Sequence, residues 1–201
     1  MKKIPSLFQR PHDDPERLVI DQVTPGCEWV LKGEGVATAK LDGSACAVIN
    51  GILYKRYDNS RLKGRDTRVQ RTAPLDDWIH CQDTNEKGKF IYWIPIKNKD
   101  YYHQIAWAWA QGDLSDGTYE LVGPDVQDNP HKFLYNCLIK HGAIQISCKY
   151  DLSSYDAIRK FLEQDTDYEG IVWHHPDGRM AKITKKKFGI PWAHNKGKQC
   201  I

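Results

Sequence analysis

Alternating apolar and polar positions give the first reading of this chain. Ala45, Ala47 and Ile49 alternate with Cys46, Val48 and Asn50, the period-2 pattern of a half-buried strand. Asn50-Gly51 follows, a favoured type I′ hairpin turn, and "ILYKRYD" returns from it. The stretch upstream, "EWVLKGEGVATAK", is expected to be extended as well. "KFIYWIPI" is a strand by aromatic and β-branched content, and "GTYELVG" is a shorter one. "KDYYHQIAWAWAQGDL" predicts a helix with Tyr102, Ile105 and Trp109 at helical spacing; Trp107 and Trp109 are expected to pack against a core. "HKFLYNCLIKHG" leaves helix and strand open, and "AIQIS" predicts a strand. "SSYDAIRKFLEQ" is an amphipathic helix, capped by Ser153 or Ser154, that buries Ile158, Phe161 and Leu162. "EGIVWHHPDGRMAKITKK" is a second hairpin around Pro-Asp-Gly. Residues 1–25 and 59–90 are irregular or turn-rich. The sum is an α+β class of antiparallel sheets with a few packed helices.

Composition narrows this picture. The 201 residues are 40% hydrophobic and 27% charged, a balance that supports a folded core and excludes general disorder. No apolar run approaches the roughly 20 residues of a membrane-spanning helix. "MKKIPSLFQRPHDDPER" lacks the apolar segment of a signal peptide. Six scattered cysteines form no CxxC pair, as expected of free thiols in a reducing cytoplasm. The net charge of +3 does not announce a nucleic-acid partner. Basic residues nevertheless gather in two stretches, Lys55–Arg71 and Lys182–Lys198, in a chain with seven tryptophans and ten tyrosines. Basic segments interleaved with aromatics are compatible with a nucleic-acid surface and equally with a solvated face.

Candidate chemistry lies in three short stretches: "KLDG" at 40–43, "YELVG" at 119–123 and "EGIVW…MAKITKKKFG" at 169–189. Glu120, Glu169 and Lys182 each interrupt or begin an otherwise apolar strand. A charge on such a strand is costly unless it pairs or lines a polar cleft. With Lys40 and Arg56, these residues have the chemistry of a nucleotide site. Hairpin register leaves one question open. A two-residue turn would put Glu169 and Lys182 on one face, whereas a Pro-Asp-Gly turn with a glycine bulge would put Lys185 opposite Glu169.

In this order the stretches resemble motifs I, III, IV and V of the covalent nucleotidyltransferase superfamily, which includes polynucleotide ligases and mRNA-capping enzymes. "YKR" after motif I and "ELVG" are similar to RNA-ligase sequences. The runs "YELVGPDVQDNPHKFLYNCLIKHGAIQI" and "YEGIVWHHPDGRMAKI" most resemble the compact 5′-3′ RNA ligases of vertebrate type and their bacterial and viral relatives. The likeness spans residues 35–190. It implies an ATP-grasp-like nucleotidyltransferase fold. The length is expected to leave a single domain over 1–201 without an OB-fold domain of the usual size, and a monomer in the cytoplasm is expected.

The resemblance also implies roles. Lys40 would take AMP from ATP, pass it to an RNA 5′-phosphate, and see it displaced by a 3′-hydroxyl. A lysine must shed its proton to act so, which nearby cations and burial favour. Lys182 and Lys185 would hold the α-phosphate; Thr184 stands where phage ligases often carry a second lysine, so Lys185 is expected to substitute. Glu169, with Asp42 as a weaker candidate, would bind Mg²⁺ or Mn²⁺ through oxygen. Glu120 would accept from ribose hydroxyls and Arg56 donate to ribose or phosphate. Gly43 would let the backbone approach the nucleotide, and His141 or Phe133 would cover the adenine. Arg56, Arg61, Lys63, Arg65, Lys186 and Lys187 are expected to grip RNA. Many DNA ligases carry arginine where Ala45 stands, which weakens that reading. Two rivals remain: a capping-type guanylyltransferase using GTP, and an RNA-binding module without catalysis.

Overall fold

The computed structural model describes residues 4–58, 76–82, 91–164 and 167–192, with the side chains of Asp58 and Gln82 left out. The chain divides into two compact units. One draws on Gly43–Val126 and Phe133–Lys140; the other draws on Ile4–Asp42, Gln127–Lys132 and His141–Ile201. The second unit is therefore entered first, left at Asp42, and re-entered twice. Both carry antiparallel sheets and few helices, as the α+β reading expects.

The second unit contains α1 (Glu28–Leu31), β1 (Val36–Lys40), α3 (Tyr155–Glu163), β8 (Gly170–His174), β9 (Met180–Thr184) and a 3-10 turn at Lys185–Phe188. Its sheet has the order β1-β8-β9. Ile171, Trp173, Ala181 and Ile183 line one face and pack with Ile158, Phe161 and Leu162 of α3, and with Leu7, Phe8 and Phe188. α3 begins where expected, because the Ser154 hydroxyl accepts the Ala157 amide proton. The three inward residues of α3 lie at i, i+3 and i+4, a single apolar stripe. Two expectations fail here. "EWVL" forms one helical turn that buries Trp29 and Val30, because the chain must reverse at Gly33 and Gly35 before β1 begins. "AIQIS" makes only two backbone bonds to β1, Ala39 N–H to the Ile144 carbonyl and Ile146 N–H to the Ala37 carbonyl. Turns on either side hold it to one isolated bridge.

The first unit holds β2 (Ser44–Ile49), β3 (Ile52–Asp58), β4 (Ile79–Gln82), β5 (Ile91–Pro95), α2 (Tyr101–Trp109), β6 (Gly117–Val122) and β7 (Cys137–Lys140). The sheet order is β4-β5-β3-β2-β6-β7. The β2–β3 hairpin turns as expected, with φ of 51° at Asn50 and 73° at Gly51. "HKFLYNCLIKHG" resolves to strand β7, and β4 is a strand within a stretch expected to be turns.

Helix α2 corrects the sequence reading in a different way. Its exposed stripe is Tyr102, Ile105 and Trp109, with Trp109 66% exposed. The inward stripe is His103, Ala106, Trp107 and Ala110. Both stripes have helical spacing. The second one wins because Ala106 is small enough to lie against Cys46, Val48, Leu53, Tyr119 and Leu121 of the sheet. Trp107 packs at the edge of that cluster as expected; Trp109 does not.

Candidate active site

In the second unit, the "KLDG", "EGIVW" and "MAKITKKKFG" stretches are joined by the backbone. Lys40 pairs with Gly170, and Gly170 with Thr184. One residue further along, Glu169 N–H donates to the Lys40 carbonyl and Lys185 N–H donates to the Glu169 carbonyl, both at 2.9 Å. The hairpin register is thereby decided. His175 N–H closes on the Arg179 carbonyl around Pro176-Asp177-Gly178, with Gly178 at φ 89°. This is the glycine-bulge form, and it puts Lys185 opposite Glu169. Lys182 lies opposite Val172, which in turn lies opposite Thr38. By strand alternation Lys182 and Lys40 emerge on the same face of the sheet, away from the core.

Lys40 Nζ forms an ion pair with Glu169 Oε2 and donates to the Leu41 carbonyl at 3.2 Å. Both side chains are partly buried. Glycine at 170 is required by crowding, since a Cβ there would lie 2.0 Å from the Ile183 carbonyl oxygen. Lys185 lies in a basic stretch whose composition is compatible with a solvated face, yet it is only 5% exposed. Its ammonium sits 4.8 Å over the Trp192 ring, a favourable cation–π arrangement. Lys186 is exposed and Lys187 half-buried. The Lys187 ammonium is held below its ordinary pKa by burial first, then by the cations Arg10, Lys186, Arg17 and Lys182. These cations gather around Lys187 at one edge of the unit.

Asp42 is held by a different set of groups. Its carboxylate Oδ2 accepts from Trp192 Nε1–H at 2.8 Å, and its amide donates to His131 Nε2 at 2.7 Å. His141 starts a turn beside His174, whose ring bonds Thr38 Oγ1 at 3.0 Å. The His174 pKa lies below its ordinary value through burial, and secondarily through His141. His131 and Trp192 are the residues that sequence reasoning passed over. A lone histidine in "NPHKF" and a tryptophan beyond motif V carry no spacing signal.

In the first unit, Glu120 is directly opposite Ala45, and Lys55 is opposite Cys46. Continuing that register sets Arg56 beside Ala45 on its other side. Glu120 and Arg56 thus flank a small alanine on one sheet face, while α2 covers the other. Glu120 is half-buried and Arg56 exposed. Gly43 is also required by packing: a Cβ would meet the Leu121 carbonyl oxygen at 2.2 Å. Lys55 is removed from the exposed basic set, because it pairs with Asp100. Phe133 is half-buried at the start of the β7 segment. Arg61, Lys63 and Arg65 lie outside the described residues. Among the described residues no group of three or more His, Cys, Asp or Glu is arranged to hold a metal ion, and no helix is long and apolar enough to cross a membrane.

The sequence profile of the family described as RNA ligase 1 matches residues 97–199, slightly more than half of the chain. The chain belongs to the RNA ligase 1 family. It is 36% identical to the Pongo abelii RNA ligase 1 over 222 residues, covering 78% of this chain and 68% of that protein. The RNA ligase 1 of Danio rerio is 25% identical over 265 residues, covering 95% of this chain and 82% of the relative. The family match contains Glu120, Glu169, Lys182 and Lys185. Lys40 lies before the profile's matched span, so its place in the site rests on the β1–β8–β9 ladder.

Proposed function

We propose that this chain is an ATP-dependent RNA ligase that joins a 5′-phosphate to a 3′-hydroxyl through an adenylate on Lys40. The observation that carries the reading is the ladder uniting Lys40, Glu169 and Lys185 at adjacent strand ends, with Lys40 Nζ in contact with Glu169.

In the first step the Lys40 nitrogen bonds to the α-phosphorus of ATP and the α–β phosphoanhydride bond breaks, releasing pyrophosphate. The ammonium proton must leave to solvent first, which the positive charge of Lys182 and Lys185 and of a cation held by Glu169 would favour. Lys182 and Lys185 supply positive charge to the phosphoryl oxygens as they gain negative charge. Next a 5′-phosphate oxygen attacks the adenylate phosphorus, the P–N bond breaks, and Lys40 leaves as an amine. Finally the RNA 3′-hydroxyl attacks the 5′-phosphorus and AMP departs. Glu120 and Arg56 take their proposed roles, ribose and phosphate contact, from motif order alone; so do His141 and Phe133 as adenine covers.

The donor chemistry fits a hard divalent cation that shares substrate phosphates and water with one carboxylate, rather than an all-protein cage. Glu169 would hold Mg²⁺ or Mn²⁺; Asp42 fits less well, since its Oδ2 already accepts from Trp192. Such a cation would neutralise phosphate charge during transfer. The exposed Lys186 with Lys187, Arg10 and Arg17 would bind the RNA backbone, which predicts an affinity that falls with salt.

The test is covalent labelling. The protein is incubated with Mg²⁺ and ATP or GTP labelled at the α-phosphate, then denatured. Label from ATP that persists, and that moves onto 5′-phosphorylated RNA when it is added, is expected. Label from GTP alone would replace this reading with a capping-type enzyme. No label under either condition would leave an RNA-binding module.

A further inference from the structure

His131 and Trp192 join the groups around Asp42 into a connected set, and the proposed chemistry uses neither of them. Asp42 follows the candidate nucleophile by two residues. Its amide donates to His131 Nε2 at 2.7 Å, while His131 Nδ1 lies 2.5 Å from the Asp167 carbonyl oxygen. Two residues beyond Asp167 is Glu169. One imidazole therefore bridges the segment leaving Lys40 and the segment entering Glu169, across 89 and 36 residues of sequence. The Asp42 carboxylate accepts from Trp192 Nε1–H at 2.8 Å. The Trp192 ring lies 5.6 Å from the His131 ring and carries the Lys185 ammonium at 4.8 Å. These three attachments come from three separate parts of the chain, all within the second unit.

We propose that His131 and Trp192 are positioning residues that latch the backbone behind Lys40, through Asp42, to the Glu169 and Lys185 segments. The proposal rests on the reading of Lys40 as nucleophile for its catalytic consequence, and on geometry alone for the latch itself. An amide can only donate, so His131 Nε2 must offer a lone pair; an oxygen can only accept, so Nδ1 carries the proton. The latch thus demands one tautomer, a neutral ring with hydrogen on Nδ1. Glutamine at this position can place a carbonyl oxygen near Nε2 and keep the Asp42 bond. Leucine can fill the space but leaves that amide without its acceptor. Trp192 supplies two things at once: the indole N–H that fixes the Asp42 carboxylate and a ring for the Lys185 ammonium. Phenylalanine keeps a ring and removes the N–H.

Two measurements test this, one without any turnover. Nitrogen-15 NMR of the imidazoles, with the His131 signals assigned by their loss in His131→Gln, is expected to show Nδ1 protonated and Nε2 bare in the intact protein. A proton on Nε2 overturns the latch whatever the enzyme does. The second measurement is the rate of Lys40 adenylylation against ATP concentration. His131→Leu and Trp192→Phe are expected to lower the maximal rate by about tenfold, the kinetic equivalent of one misplaced hydrogen bond. KM for ATP should change little, and His131→Gln should restore most of the rate. Equal losses in His131→Gln and His131→Leu, or a loss confined to KM, overturn the positioning role. If the unaltered protein forms no adenylate, the proposed function fails, and the NMR result still decides the latch.

Discussion

Substituting Gly170 by alanine tests the structural reasoning at its tightest point. The new Cβ would lie 2.0 Å from the Ile183 carbonyl oxygen and 2.7 Å from the Thr184 Cα. Both are backbone atoms, so no side chain can rotate away. Reaching ordinary contact requires β8 and β9 to separate by about 1 Å or more, which lengthens 2.9 Å hydrogen bonds past their useful range. The bonds at risk are those next to the clash, including Lys185 N–H to the Glu169 carbonyl. At about 1 kcal/mol net for each of two or three bonds, the loss is about 3 kcal/mol. That agrees with the usual upper cost of overpacking, about 3 kcal/mol. Urea unfolding followed by circular dichroism is the assay. With a slope of about 2 kcal/mol/M, the midpoint should fall by about 1.5 M. Gly178→Ala is the comparison, because nothing lies within 4 Å of its Cβ position and only its positive φ resists the change; its cost should be about 1 kcal/mol. A Gly170→Ala midpoint equal to that of the unaltered protein, or a loss smaller than that of Gly178→Ala, would refute the packing argument.

Other outcomes follow from single contacts. Ser154→Ala removes the acceptor for the Ala157 amide and should cost about 1 kcal/mol in the same urea assay. Trp109→Ser should change stability by less than about 0.5 kcal/mol despite the size of the side chain, because Trp109 is 66% exposed, whereas Phe161→Ala in the core should cost about 3–5 kcal/mol. Asp177, in the turn between β8 and β9, is lowered to about 2 by the Arg179 amide first, against the opposing effect of burial, and then by the Arg179 guanidinium and the His175 ring. Its folded pKa is depressed, so its contribution to stability is present above the ordinary carboxylate value and lost as pH falls through about 2. A carboxyl carbon NMR titration should place Asp177 near that value, and a midpoint at the ordinary value would contradict the turn geometry.

The fold was legible where one pattern had a single interpretation. The Asn50-Gly51 hairpin, α3 with its Ser154 cap, and the Pro-Asp-Gly hairpin follow from local chemistry. Helix α2 was legible as a helix but not in its orientation. Both its stripes are apolar at helical spacing, and the fit of Ala106 against the β2–β3–β6 surface decides between them. "EWVL" and "AIQIS" have extended-looking composition, but the reversals around Gly33 and Gly35 and the flanking turns set their final form. At the site, charges interrupting apolar strands pointed to Glu120, Glu169 and Lys182. Which lysine lies opposite Glu169 depends on one bulge in the turn, a one-residue change of register that moves every side chain to the other face. His131 and Trp192 were not legible at all. Their roles come from hydrogen bonds between segments 36 to 150 residues apart, and single residues of ordinary type announce no such contacts.

The central claim is that Lys40 carries the adenylate. The direct measurement is peptide mapping by mass spectrometry after the protein has reacted with ATP and Mg²⁺ and been denatured. The account predicts one adenylyl group, acid-labile as a phosphoramidate should be, on the peptide containing Lys40, and none in Lys40→Arg. An adenylyl group on the peptide containing Lys182 or Lys185, or one that persists in Lys40→Arg, would contradict it.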